Sequence, residues 1–250
     1  MDQDTLVYAR ETTRTGTLEK TVETKTLLTV VMPVYNEAAT VNQVIDRVLG
    51  LGLDVELIVV DDGSTDGTRE VLSELNDERV RVILQERNQG KGAAVRTGYA
   101  HARGEIVTIQ DADLELDPGD IPSLIQPIID GTADVVYGSR FVHGWKHRSA
   151  LNAFANRFLS GLTNVLYGTR IRDMEACYKV FRTELLQHFT LRANRFDFEP
   201  EITAKLSKMG LKIIELPVSY NPREFTDGKK IHWKDGFEAI YTLVKYRFVD

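Results

Sequence analysis

Apolar residues in this chain gather in short runs, and two spacings alternate along it. Residues 27–35 form the first strong run, rich in β-branched residues, and predict a strand ended by Asn36-Glu37. Val41, Val44, Ile45 and Val48 then recur at helical spacing, and Gly50 and Gly52 close that segment. Residues 55–60 predict a second strand, followed by a helix with Val71, Leu72 and Leu75 on its inner face, then a third strand over 80–84. A glycine-punctuated turn at 88–92 opens a helix reaching to 103. A strand from 106, an amphipathic segment over 120–129 and a strand over 133–138 continue the alternation. Such a pattern predicts an α/β fold: a mostly parallel sheet with helices on both faces and ligands bound outside the carboxyl ends of its strands.

After Arg140 the rhythm changes. A polar loop over 143–148 precedes a long helix over 150–167; a strand over 177–181, a helix over 199–209, a strand over 212–218 and a last helix over 236–248 follow. Residues 221–234 form a basic loop. Residues 1–26, rich in Thr, Glu, Lys and Arg, read as a weakly ordered tail, and 27–250 as one domain with a first half (27–140) and a second half (141–250).

The stretch 106–118 concentrates the chemistry. An apolar run ends abruptly in Asp111, Asp113, Glu115 and Asp117. Side chains alternate along an extended chain, so Asp111 and Asp113 point to one side, and Glu115 joins them if the extension continues. Carboxylates crowded at a strand end repel one another, and a hard divalent cation, Mg²⁺ or Mn²⁺, relieves that repulsion. A polar turn explains the same residues without a metal. Tyr35-Asn36-Glu37 and Asp61-Asp62 also stand at strand carboxyl ends, so three polar clusters are expected on one edge.

Other positions carry two readings each. Asp61 can accept from a base or ribose group, or belong to an Asp-Gly turn in which Ser64 or Thr65 caps the next helix. Lys91, at a helix start, is placed for an anion; the glycines around it equally suit a tight turn, and the spacing is not that of a Walker loop. Arg140, Arg223, Lys229 and Lys230 could bind phosphate or serve solubility. Asp173 and Glu175 are cap or base residues, and Glu199 and Glu201 stand where acids favour a helix dipole. Phe237, Ile240, Tyr241, Val244 and Phe248 make one stripe beside Lys234, Lys245 and Arg247, which either packs on the body or lies on a membrane surface.

Composition narrows the field. The net charge of -6 argues against general nucleic-acid binding, and 42% hydrophobic residues over 250 positions suffice for one α/β domain. The single cysteine, Cys177, excludes an internal disulfide and a cysteine-rich zinc site, and the five histidines show no ligand spacing. No apolar run approaches a membrane span, so a soluble, cytoplasmic protein is expected, with peripheral membrane contact left open.

Residues 31–37 (VMPVYNE), 59–66 (VVDDGSTD), 88–92 (NQGKG) and 111–114 (DADL), in that order, resemble the signature of glycosyltransferase family 2 over roughly 27–235. Gly138-Ser139-Arg140, Pro222-Arg223 and Gly228-Lys229-Lys230 look like the branch of polyprenyl-phosphate (dolichyl-phosphate) mannose and glucose synthases. The resemblance implies a GT-A fold, a nucleotide-diphosphate sugar donor (UDP-glucose or GDP-mannose), inversion at the anomeric carbon and a polyprenyl-phosphate acceptor. It implies that Pro33, Tyr35, Glu37 and Asp61 frame the nucleoside, and that Asp111 and Asp113 position the metal and diphosphate. Glu115 stands where the mannose enzymes often carry Gln, a further metal contact. Arg140, Arg223 and Lys229 would meet the acceptor phosphate or the leaving diphosphate. A phosphate acceptor needs no general base; a hydroxyl acceptor needs one, and Asp173, Glu199 and Glu201 are then the candidates.

Overall fold

The computed structural model describes residues 27–141, 150–222 and 233–249. The expected tail, the 143–148 loop, Arg223, Lys229 and Lys230 lie outside the described residues. In chain order the main elements are β1 (Leu28–Val34), α1 (Val41–Leu49), β2 (Val55–Asp61), α2 (Thr68–Ser73), β3 (Val80–Leu84), α3 (Lys91–Tyr99) and β4 (Ile106–Ile109). Then come α4 (Ile121–Ile129), β5 (Val135–Ser139), α5 (Ala150–Tyr167), β6 (Lys179–Arg182), α6 (Phe198–Lys208), β7 (Ile213–Pro217) and α7 (Trp233–Phe248).

The strands form one sheet in the order β3-β2-β1-β4-β6-β5-β7. All pairings are parallel except those of β6, which runs antiparallel to both β4 and β5. That reversal brings the start of β6 to the edge where the other strands end. β2 is buried at every residue. Its period of two splits the core: Ile58 and Val60 meet Ala94 of α3, while Leu57 and Val59 join the main cluster with Val44 and Val48 of α1. Helices therefore cover both faces. Pro217 closes β7, an edge strand, where its missing N–H costs no ladder bond on the open side.

Two expectations change at β4. The helix before it ends at Tyr99, short of 103, and Gly104 then passes close to β1; a Cβ there would lie 2.6 Å from the Thr29 nitrogen. The strand itself stops at Ile109, Leu114 takes a left-handed φ of 51°, and the Asp113 carboxylate accepts from the Glu115 N–H at 3.1 Å. The acidic stretch is therefore a folded turn, and simple alternation does not align Asp111, Asp113 and Glu115 on one side.

Candidate active site

The chain leaving β1 is clasped by the loop that follows β2. Asn36 adopts φ 54°, and its N–H donates to Ser64 Oγ (2.9 Å). Glu37 N–H donates to Thr68 Oγ1 (2.9 Å), and Thr65 N–H donates back to Asn36 Oδ1 (2.9 Å). Ser64 and Thr65 thus hold the neighbouring loop; α2 begins at Thr68, after Gly67, without a side-chain cap. Pro33, Tyr35 and Glu37 remain half-buried along this end of β1.

Asp61 is fully buried and accepts from Gly63 N–H, Ser64 N–H (each 3.2 Å) and Arg69 Nε (2.7 Å). Asp62, beside it, accepts from Gln89 N–H (2.7 Å) and Gly90 N–H (2.8 Å). It therefore fixes the glycine turn ahead of α3. Gly63 permits this approach, since a Cβ there would lie 2.5 Å from the backbone of Arg87 and Asn88. The turn's own glycines answer to a second neighbour: a Cβ on Gly90 would lie 2.3 Å from the Asn194 carbonyl oxygen, and one on Gly92 2.6 Å from that of Ala193. Of the two readings of these glycines, close backbone packing is the one with contacts behind it.

Lys91 opens α3 and faces the acidic turn. Its Nζ lies 2.9 and 3.0 Å from the two Asp111 oxygens, 3.5 Å from Glu199 Oε1 and 3.8 Å from Cys177 Sγ. Burial, the largest single influence, lowers its pKa; the Asp111, Cys177 and Glu199 groups together with the hydrogen bond to Asp111 outweigh it and hold the ammonium well above the usual value. Glu199 is bound in turn by the buried Lys179 ammonium, which also donates to the Met174 and Ala176 carbonyls. An ordered row of charges, Asp111–Lys91–Glu199–Lys179, runs from the edge into the core.

Arg140 and Asp173 are committed to each other. Arg140 donates to Asp173 through Nε (2.9 Å), Nη2 (2.7 Å) and its own N–H (3.0 Å), and Asn156 adds a bond at 2.8 Å. The guanidinium sits between the rings of Phe141 (5.8 Å) and Tyr220 (5.4 Å). Burial, the largest single influence, raises the Asp173 pKa, but the Arg140 charge, the Arg140 hydrogen bonds and the Asn156 bond together bring it below the ordinary carboxylate value. An aspartate held this way is a poor proton acceptor. Glu201 likewise receives the N–H groups of Arg192 and Ala193. Glu175 differs: its Oε1 is buried without a hydrogen-bond partner among the described residues, and burial followed by the Glu199 charge pushes its pKa up to about 7.

Glu115 faces the second half of the chain. Its Oε2 accepts from the Tyr220 hydroxyl at 3.3 Å, and its carbonyl accepts from the Asn221 N–H at 2.8 Å. Leu116 and Tyr220 form an antiparallel bridge beside these bonds. The segment that leads into Pro222-Arg223 is thereby fastened to the acidic turn. Asp62, Arg69, Lys179 and Tyr220 are residues that sequence reasoning missed. Only Asp62 left a trace there, as the second acid of a strand-end pair.

Among the described residues, no group of three or more His, Cys, Asp or Glu side chains is placed to hold a metal by itself. The three-carboxylate set of Asp111, Asp113 and Glu115 is therefore not assembled by the chain alone. Asp111 and Asp113, half-buried hard-oxygen donors two residues apart, still fit a Mg²⁺ or Mn²⁺ ion that takes its other ligands from phosphates and water.

The model of glycosyl transferase family 2 matches residues 29–190, and the chain belongs to that family. It is 31% identical to the polyprenol monophosphomannose synthase of Mycolicibacterium smegmatis over 78% of this chain and 77% of that protein. It is 29% identical to the undecaprenyl-phosphate 4-deoxy-4-formamido-L-arabinose transferase of Edwardsiella ictaluri over 81% of this chain, and spans only 62% of that protein's length. Its fold is GT-A: glucosyl-3-phosphoglycerate synthase from Mycobacterium tuberculosis, solved with UDP, superposes with a TM-score of 0.69 at 24% identity, over 90% of this chain and 81% of that one.

Proposed function

We propose that this chain is a metal-dependent inverting glycosyltransferase that moves a hexose from UDP-glucose or GDP-mannose to a polyprenyl phosphate. The two relatives bear names that share a polyprenyl-type acceptor and differ in the sugar, which supports the acceptor class more than the donor. The observation that carries the reading is the fastening of Tyr220 and Asn221 to Glu115, which sets the segment entering the basic loop beside the acidic turn. In this reading residues 27–140 bind the donor and 141–250 the acceptor.

Pro33, Tyr35, Glu37 and Asp61 frame the nucleoside at the ends of β1 and β2. Asp111 and Asp113 hold Mg²⁺ or Mn²⁺, which when bound neutralises charge growing on the departing diphosphate. Lys91, paired with both Asp111 oxygens, orients that carboxylate. Arg223 and Lys229 receive the acceptor phosphate, which arrives as an anion and needs little help from a base. Arg140 supports this half by holding Asp173 and stacking on Tyr220, rather than by binding phosphate with its whole guanidinium.

A hydroxyl acceptor is the second reading, and one observation favours it: the unpartnered Glu175 oxygen with its pKa near neutrality, suited to take a proton. Two variants test the primary reading. Asp113→Ala is expected to abolish metal-dependent donor binding, measured by calorimetry, with an unchanged circular dichroism spectrum; full activity would remove the metal assignment. Arg223→Ala is expected to leave donor binding intact and raise the acceptor KM roughly tenfold or more, the order of one lost charge-assisted contact. Unchanged acceptor kinetics would take Arg223 out of the site.

A further inference from the structure

α7 is apolar on two opposite sides. Ala239, Leu243 and Tyr246 are buried against the body, with α6 and α5 as neighbours. On the far side Phe237 is 66% exposed, Tyr241 67% and Phe248 80%, with Val244 between them. The adjacent α5 repeats the arrangement. Ala153, Leu159 and Thr163 face inward, while Phe154 (67% exposed), Phe158 and Val165 (83%) face out. Both outer stripes follow the spacing i, i+4, i+11, and the two helices are tied together by the Tyr167 hydroxyl donating to the Leu243 carbonyl (2.6 Å). A helix that is apolar on both faces is one that buries both, and surface patches of this make mark interaction sites.

We propose that the outer faces of α5 and α7 dock on the headgroup region of an anionic phospholipid bilayer. The charges select this occupant. Among the described side chains of the two helices there are three cations (Arg157, Lys245, Arg247) against one anion (Glu238), in a chain whose net charge is -6. Aromatic and aliphatic side chains flanked by Lys and Arg are what an interfacial helix presents to acidic lipid. A second copy of the chain fits less well. A two-fold interface places each patch on itself, and so brings the same surplus of cations together. None of these residues belongs to the nucleotide or metal edge, so the proposal stands apart from the transfer chemistry.

The test uses the full chain and sedimentation with phosphatidylcholine vesicles, with and without phosphatidylglycerol, free of polyprenyl phosphate. Binding is expected to the anionic vesicles, to weaken with added salt, and to fall at least about tenfold in Phe158→Glu/Phe237→Glu. The charge variant Lys245→Glu/Arg247→Glu, which leaves the apolar stripe whole, is expected to lose the preference for anionic lipid. Both variants should retain nucleotide binding, which confirms folding and keeps this result separate from any failure of sugar transfer. Absence of vesicle binding, or equal binding by wild type and the Phe158→Glu/Phe237→Glu variant, would overturn the proposal. So would a wild-type dimer, seen by light scattering, that the same variant dissolves while vesicles are ignored.

Discussion

Two carboxylates only two positions apart in sequence behave oppositely, and burial with different partners is the reason. Asp173 has a guanidinium, an amide and a backbone N–H on its oxygens, whereas Glu175 has a buried oxygen with no donor among the described residues. For Asp173 the folded pKa is depressed, so its stabilisation is present above the unfolded value and is lost as pH falls towards and below the folded one. Asp173→Asn leaves Arg140 without its counter-charge and is expected to cost about 3–5 kcal/mol at pH 7, read by urea denaturation. For Glu175 the folded pKa is raised, so its contribution is complete below the unfolded pKa of 4.5 and disappears as pH rises through about 7. Glu175→Gln is therefore expected to match wild type near pH 4.5 and to exceed it by on the order of 2 kcal/mol at pH 8.5. Equal pH dependence in the two proteins would remove Glu175 from the list of titrating groups.

At the level of elements, the strands and most helices were legible because each carries its own period. β2 is a continuous buried run and α1 repeats every three to four residues. What the spacing did not carry was direction. Nothing local distinguishes β6 from its neighbours, yet its reversal places Cys177 and Tyr178 at the site edge. The glycine turn was legible as a turn, but its reason was not. Gly90 and Gly92 are set by residues 193–194, a hundred positions later in the chain. Gly90, at φ 104°, is also in a region that side chains disfavour. Gly90→Ala is expected to cost at least about 2 kcal/mol and to raise the donor KM, because the start of α3 carries Lys91. A neutral effect on both would separate this turn from the site.

Across the whole molecule, the candidate site divided by chemistry into what a linear reading can and cannot see. Asp111, Asp113, Asp61 and Lys91 were visible as polar residues at element ends, and they do gather on one sheet edge. Their partners were not visible: Arg69, Tyr220 and Lys179 read as ordinary surface or strand residues until the fold sets them against the acids. The pairing of Arg140 with Asp173, both named as candidates from the sequence, was invisible for the same reason, since a buried ion pair between residues 33 apart has no sequence period. The link between halves, Tyr220 and Asn221 on Glu115, is a long-range product of the sheet order, which brings the end of β7 towards the turn after β4.

The proposed transfer of a sugar to a lipid phosphate is measured directly by following label from UDP-glucose and GDP-mannose to a short-chain polyprenyl phosphate, with Mg²⁺ or Mn²⁺ and with the metal chelated. Metal-dependent glycolipid from one donor is the predicted result. Metal-dependent release of nucleotide from a donor, with no sugar on the lipid phosphate at any acceptor concentration, would contradict it and transfer attention to a hydroxyl acceptor and Glu175.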